Sequence, residues 1–100
     1  EIIIPSSVTE LGNGSFCECI SLQKVTLTPS IISIGNECFK ECSLIKEIQI
    51  PSSVKSIGRF AFENCQSLVS IVIQSTIIES IGEGAFQNCI SLQIINIPLH

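Results

Sequence analysis

The chain has 100 residues, of which 45 % are hydrophobic and 14 % charged, and its formal net charge is −4. This length predicts one domain, and the acidic balance excludes the basic face that a nucleic-acid-binding module requires. His100 is the only histidine and aspartate is absent, so a histidine-based catalytic triad is excluded, and no apolar run reaches the ~20 residues that cross a bilayer.

An internal repeat organises the whole chain. The glycines Gly12, Gly35, Gly58 and Gly82 are separated by 23, 23 and 24 residues. Three further columns keep this spacing, namely Phe16, Phe39, Phe62 and Phe86, then Cys19, Cys42, Cys65 and Cys89, then Leu22, Ile45, Leu68 and Leu92. A fixed period of this length indicates a solenoid, in which each repeat buries its apolar face against the next. The extra residue of the last repeat falls in a turn at residues 74–77, where insertions cost little.

Each repeat begins with a predicted strand. The five strands lie at residues 2–4, 25–27, 48–50, 71–73 and 95–97. Three of them alternate apolar and polar residues, as in Ile48-Gln49-Ile50, which is the pattern of a strand with one buried face. A turn rich in proline or serine follows each strand. Proline stops the strand pairing there, because it has no N–H group to donate to a strand ladder. We expect the five strands to form one parallel sheet.

The second part of each repeat is predicted to hold a short extended segment, a glycine bend and a short helix. In the third repeat the apolar segment ends at Ile57, and we expect the glycine that follows it to supply a tight bend. Ala61, Phe62, Cys65 and Leu68 then recur at i, i+1, i+4 and i+7, which is one face of a helix.

These elements predict an α/β solenoid of about four coils, with right-handed crossovers between the strands. The chain forms one domain, with repeats at about residues 2–24, 25–47, 48–70 and 71–94 and the start of a fifth at residue 95. Methionine is absent and no capping motif flanks the repeats, so we expect a fragment of a longer array. Bare ends leave strand edges unpaired, which predicts end-to-end self-association.

One stretch carries the repeat in its most regular form. Residues 48–65 read I-Q-I-P-S-S-V-K-S-I-G-R-F-A-F-E-N-C. This resembles the BspA-like subtype of the leucine-rich repeat, whose pattern is approximately L-x-x-I-x-I-P-x-x-V-x-x-I-G-x-x-A-F-x-x-C. The match covers the whole chain, but Thr28 and Pro29 depart from the proline position, and Ser15 and Cys38 from the alanine position. The resemblance implies a leucine-rich-repeat solenoid with its parallel sheet on the concave face, short helices on the convex face, and binding rather than catalysis.

The six cysteines are weighed by their columns. Cys19, Cys42, Cys65 and Cys89 share a core column, Cys38 takes the position that Ala61 and Ala85 hold in later repeats, and Cys17 falls in a surface column. We therefore expect free thiols, with all but Cys17 buried. Two alternatives are disulfides stacked between neighbouring repeats, and a zinc site of Cys17, Cys19, Cys38 and Cys42, whose members point in different directions in the predicted coil.

The outward residues of the predicted strands form the candidate binding surface. They are Lys24, Thr26, Glu47, Gln49, Ser70, Val72, Ile94 and Asn96, called the strand face below. Solenoids of this kind bind ligands on such an extended surface. The alternative is a solvated sheet face without a ligand. Pro51 is also expected to point outward, and Phe60 is expected on the opposite side, packed in part against a neighbouring coil.

The predicted function is protein binding, as an adhesion or recognition module for a protein ligand. The alternative is a structural spacer or scaffold with no specific ligand. No enzyme activity, cofactor or metal is expected, because serines lack a partnered base and Glu18, Glu37 and Glu41 offer too few oxygens for calcium. The resemblance implies a cell-surface or secreted location, whereas free buried thiols favour the cytoplasm.

Overall fold

Nine short strands follow one another along residues 1–96, which are the residues that the computed structural model describes. They are β1 Ile2–Ile3, β2 Glu10–Leu11, β3 Val25–Thr26, β4 Ser33–Ile34, β5 Glu47–Ile50, β6 Ser56–Ile57, β7 Ser70–Ile73, β8 Ser80–Ile81 and β9 Ile94–Asn96. The odd-numbered strands lie at the predicted strand positions, and the even-numbered strands lie at the predicted extended segments. Ile97, which ends the predicted fifth strand, lies outside the described residues.

Equivalent strands pair in parallel, one repeat apart. Strands β2, β4, β6 and β8 form one sheet, in which Leu11 lies beside Ile34. The odd-numbered strands form a two-stranded sheet, β1–β3, and a three-stranded sheet, β5–β7–β9. The chain is therefore a parallel β-solenoid of about four coils, as predicted, but the expected single sheet of odd-numbered strands is interrupted between β3 and β5.

The core is a set of columns of equivalent residues. Phe16, Phe39, Phe62 and Phe86 stack with ring centroids 5.3, 5.3 and 5.5 Å apart and interplanar angles of 2°, 8° and 13°. The two central rings are fully buried, whereas the rings of Phe16 and Phe86 in the outer coils are partly exposed. The centroid spacing is close to the ~4.8 Å between neighbouring strands, so each repeat adds one ring to the stack. The predicted phenylalanine column is confirmed.

The segments after the glycines are turns, so the prediction of short helices on the convex side is wrong: residues 1–96 contain no helix. The amide of Cys17 donates to the Gly14 carbonyl in its own coil (3.1 Å), but the amide of Phe16 donates to the Cys38 carbonyl in the next coil (2.9 Å). The same alternation recurs in the next two coils. An α-helix needs each amide to donate four residues back. Here every second amide of the turn joins the neighbouring coil instead.

Two left-handed backbone positions in each turn also prevent a helix. One column contains Gly14, Glu37, Phe60 and Gly84, and the other contains Glu18, Glu41, Asn64 and Asn88, all with φ between 57° and 68°. For an L-residue other than glycine this conformation costs about 1–2 kcal/mol. The turns therefore hold strained glutamates and a strained phenylalanine at positions where other repeats use glycine or asparagine.

Replacing Glu37 by glycine distinguishes a turn from a helix by the sign of its effect. Because φ is 57° at this position, we expect Glu37→Gly to raise the free energy of unfolding by about 1 kcal/mol. In a helix the same change would lower it by about 1 kcal/mol. Urea denaturation followed by circular dichroism measures the difference.

The matched control for this prediction is Glu63→Gly. Both glutamates lie near Lys40, with Oε2 of Glu37 at 3.4 Å and Oε1 of Glu63 at 3.5 Å from Nζ. Only the backbone of Glu37 is left-handed. Glycine at residue 63 should therefore destabilise the chain, and destabilisation by both variants would contradict the assigned turn geometry.

The glycine column allows the coils to approach closely, which differs from the tight bend expected from the sequence. Gly35, Gly58 and Gly82 do not have a left-handed φ. A Cβ atom added to Gly58 would lie 2.5 Å from the amide nitrogen of Asn36 and 2.6 Å from the carbonyl carbon of Gly35. Real Cβ atoms do not approach backbone so closely, so these positions accept only hydrogen. At Gly12 the nearest atom, Oγ of Ser15, would be 3.4 Å away.

Alanine substitutions at two equivalent glycines should therefore differ sharply. We expect Gly58→Ala to lower the free energy of unfolding by about 2–3 kcal/mol, since the backbones of two coils must separate. We expect Gly12→Ala to change it by less than about 0.5 kcal/mol. Chemical denaturation of the two variants measures this contrast, and equal effects would show that the glycines serve local backbone conformation instead.

Side-chain ladders complete the bonding between coils. The Ser30 hydroxyl donates to the Val8 carbonyl (2.8 Å), and the Ser75 hydroxyl donates to the Val54 carbonyl (2.6 Å). Among the described residues, no buried side-chain nitrogen or oxygen lacks a partner. Ser75 lies one residue earlier in its repeat than Ser30 and Ser53 do, yet it forms the equivalent bond, so the inserted length of the last repeat is accommodated between Ser75 and β8.

Candidate binding face

The strand face is accessible in the structure, and its residues align in two rows. Glu47, Ser70 and Ile94 lie side by side in one row, and Gln49, Val72 and Asn96 lie side by side in the other. Lys24, just before β3, and Thr26, within β3, hold the equivalent positions in the neighbouring coil. All eight side chains are exposed or half-exposed, whereas the alternate residues of β5 and β7 are buried. The structure thus brings the eight residues together on one surface, and their role in binding stays a prediction.

A groove opens on this surface between β3 and β5. Its volume is about 480 Å³, and it is lined by Gln23, Lys24, Val25, Thr26, Leu27, Lys46, Glu47 and Gln49. A second depression of about 350 Å³ adjoins it and shares Gln23, Lys24 and Lys46. Half of the strand face therefore borders a concave site of the size that ligand pockets have.

The sequence pattern missed two lining residues of the groove and misplaced one neighbour. Lys46 lies one residue before β5 and Gln23 lies two residues before β3, and strict alternation would turn both toward the core. They are exposed because the chain is not yet in a strand there. Pro51 was expected to point outward but is buried, because the chain turns directly after β5. A charged residue just before a strand was the signal that could have identified Lys46.

Two cationic residues line the groove, together with one acidic residue, Glu47. The chain has 5 lysines and arginines, and Lys24 and Lys46 both line the groove. Nζ of Lys24 lies 3.8 Å from Oε2 of Glu1, and both side chains are largely exposed. Lys46 belongs to none of the ion pairs formed within residues 1–96, in contrast to Lys40, whose amine lies between two glutamates.

All six cysteines are free thiols in the structure. Cys38, Cys42 and Cys65 are buried, as predicted, whereas Cys19 and Cys89 are only half-buried because they lie in the outer coils. Cys17, expected at the surface, is also half-buried. Thiols of the core column donate to the carbonyl of a phenylalanine in the preceding coil, as from Cys42 to Phe16 (3.1 Å) and from Cys65 to Phe39 (3.2 Å).

Burial keeps these thiols protonated. Desolvation raises the pKa of Cys38 and of Cys65 from 9.0 to about 12, and that of Cys42 to about 11. Desolvation likewise raises the pKa of Cys17, with the negative charges of Glu18 and Glu37 acting in the same direction. The thiolate is the nucleophile and the metal ligand, so the three buried cysteines are chemically inert near neutral pH.

The raised pKa values predict a loss of stability in alkali. The unfolded chain releases these protons near pH 9, whereas the folded chain retains them to about pH 11–12. The contribution of these thiols to the free energy of unfolding is complete below about pH 9. It declines as the pH rises, by up to about 1.4 kcal/mol per pH unit for each thiol that ionises only on unfolding. Urea denaturation between about pH 8 and pH 11 measures the slope.

Cys38→Ala is the control for this pH dependence, since its equivalents in two other repeats are alanines. The variant lacks one of the linked protons, so its unfolding free energy should fall less steeply above about pH 9. Equal slopes for the variant and the original chain would contradict a folded-state pKa near 12 for Cys38.

Two other candidates from the sequence have structural places. Phe60 lies on the turn with its ring over Gly84 in the next coil, so the expected partial packing is confirmed. The two columns of left-handed backbone positions contain Glu18, Glu37 and Glu41. Over residues 1–96, no group of three or more histidine, cysteine, aspartate or glutamate side chains is placed to hold a metal ion. No helix in the same stretch is long and apolar enough to cross a membrane.

Comparison with known families decides the relationship that the repeat pattern suggested. A family model described as "BspA type Leucine rich repeat region (6 copies)" matches residues 1–100. The chain belongs to the BspA-type leucine-rich repeat family. No curated protein matches this repeat segment.

Solved structures of bacterial leucine-rich repeat proteins share the fold. A leucine-rich repeat protein from Bacteroides ovatus is 34 % identical, with a TM-score of 0.82 over 87 % of this chain and 22 % of that protein. A leucine rich cell surface protein from Faecalibacterium prausnitzii is 25 % identical, with a TM-score of 0.73 over 96 % of this chain and 41 % of that one.

A third structure agrees at the level of the fold. The leucine-rich repeat protein of T. pallidum is 24 % identical, with a TM-score of 0.79 over 96 % of this chain and 57 % of that protein. The BspA-type chain thus spans between about a fifth and just over half of these relatives, and none of the three is named as an enzyme.

Proposed function

We propose that this leucine-rich repeat segment is a protein-binding module whose strand face contacts the partner. The observation that carries the proposal is the groove at β3 and β5, which gives an otherwise regular solenoid surface a defined recess. The face is polar around the recess and apolar at its far end, where the Ile94 side chain is 54 % exposed. Mixed surfaces of this kind are typical of protein interfaces that form and dissociate.

A location at the cell surface completes the proposal. One structural relative is named a cell surface protein, and the family resemblance favours an adhesive role. Free thiols by themselves favour the cytoplasm, but those of Cys38, Cys42 and Cys65 are buried and protonated and are thereby protected from disulfide exchange at a cell surface.

The test compares two triple variants in binding to a panel of purified extracellular-matrix proteins, measured by surface plasmon resonance. Thr26→Glu, Gln49→Lys and Asn96→Lys together alter the strand face. Thr76→Glu, Gln66→Lys and Gln87→Lys introduce the same charges at exposed turn positions elsewhere. We expect the first set to abolish binding to a partner that the second set still binds with affinity within about twofold.

Two outcomes contradict the proposal. Binding retained by the strand-face variant would move the site to the turns or to the ends of the solenoid. Absence of any partner for the original chain, with all three proteins folded by circular dichroism, would favour a spacer that holds other domains apart.

A further inference from the structure

The groove lies where two neighbouring segments of the solenoid fail to join. The amide of Val69 donates to the Lys46 carbonyl (2.8 Å), and the amide of Gln93 donates to the Val69 carbonyl (2.9 Å). The equivalent bond, from the Lys46 amide to the Gln23 carbonyl, is not formed in the described part of the chain. Together with the missing ladder between β3 and β5, this leaves a backbone donor and a backbone acceptor beside the recess.

The departure from the repeat pattern lies directly after β3. The second repeat has Thr28 and Pro29 where the third has Pro51 and Ser52, and the Thr28 hydroxyl lies 2.9 Å from that of Ser30. The opening therefore coincides with a local change of sequence, rather than recurring in every coil. By contrast, β5 and β7 pair over four residues.

Lys46 offers two donors at the groove, its ammonium group and its backbone amide, that have no acceptor among residues 1–96. The ammonium groups of Lys24 and Lys46 border it, and the Lys46 amide has no backbone acceptor among residues 1–96. Glu47 is the acidic residue of the lining, and Oε2 of Glu1 lies 3.8 Å from Nζ of Lys24 and accepts a hydrogen bond from the Thr26 hydroxyl (3.5 Å). Two ammonium groups and an amide form a set that suits a carboxylate, since charge-assisted hydrogen bonds to such an anion are the strong ones.

We propose that this groove binds a glutamate- or aspartate-bearing peptide segment of the partner, an inference that rests on the proposed binding function of the strand face. The carboxylate lies between Lys24 and Lys46. The side-chain amides of Gln23 and Gln49 and the Gln23 carbonyl pair with the backbone of the segment, because an extended peptide offers both donors and acceptors. A polyanion such as a sulfated polysaccharide fits less well, since the chain carries a net charge of −4 and Glu47 lies in the lining.

The first experiment uses arrays of randomised hexapeptides with a fixed central glutamate, aspartate, glutamine or lysine, probed with the labelled chain. We expect the acidic arrays to bind and the glutamine and lysine arrays to bind at least about tenfold more weakly. The best acidic peptide is then titrated into the isotopically labelled chain and followed by NMR. The Lys46 amide resonance should shift downfield as it acquires an acceptor, which a merely long-range charge effect would not produce.

Two double variants with the same loss of charge provide the matched comparison. Lys24→Gln with Lys46→Gln removes the groove cations, and Lys55→Gln with Arg59→Gln removes two exposed cations outside the groove. We expect the first pair of substitutions to weaken binding of the selected acidic peptide by about tenfold or more, and the second pair to weaken it by less than about twofold. Amide spectra of both proteins verify that they are folded.

Three results overturn the carboxylate site: no preference for acidic peptides, equal weakening by both double variants, or tighter binding of a heparin fragment than of any peptide. Each is distinguishable from failure of the proposed function. A matrix partner that is lost in the Thr26, Gln49 and Asn96 variant but kept by the Lys24 and Lys46 variant would preserve the strand face as a binding surface and exclude this chemistry.

Discussion

Close contact between the backbones of successive coils is the constraint on which the rest of the structure depends. Gly58 lies so near the backbone of Gly35 that no Cβ atom fits between them. At that separation every second turn amide reaches the next coil, the phenylalanine rings stack, and serine and cysteine side chains reach carbonyls of the preceding coil. Stability is therefore shared by nearest neighbours, as in other solenoids, rather than stored in individual coils.

The sequence predicted the repeated elements but not the hydrogen bonds that neighbouring repeats form with each other. The spacing of Phe39 and Phe62 predicted the columns and the core, and the alternation of apolar and polar residues predicted the strands. The spacing of Ala61, Phe62, Cys65 and Leu68 also fitted a helix, but that pattern records only which side chains are inside. Hydrogen bonds to a neighbouring coil compete with helical ones, and a left-handed φ at Glu37 or Phe60 has no signature in the residue type.

The candidate site shows the same division. Alternation along the strands predicted the residues of the strand face and their common orientation. The groove depends on one backbone bond that is absent between Lys46 and Gln23, although the same bond forms between Val69 and Lys46. Thr28 marked the second repeat as irregular, yet the consequence for the next strand could be seen only in three dimensions. An irregularity in one repeat thus gives this solenoid a groove that a fully regular solenoid would lack.

The serine and cysteine ladders give the solenoid a direction. Ser30 and Cys42 donate to carbonyls of the first coil, and Ser75 and Cys89 donate to carbonyls of the third. The turn amides run in the opposite direction, since the amide of Phe16 donates to the Cys38 carbonyl in the following coil and the amide of Phe39 donates to the Ala61 carbonyl. Loss of a coil from either side would therefore leave hydrogen-bond donors without partners, so neither direction offers an inexpensive route for unravelling or for trimming by proteases.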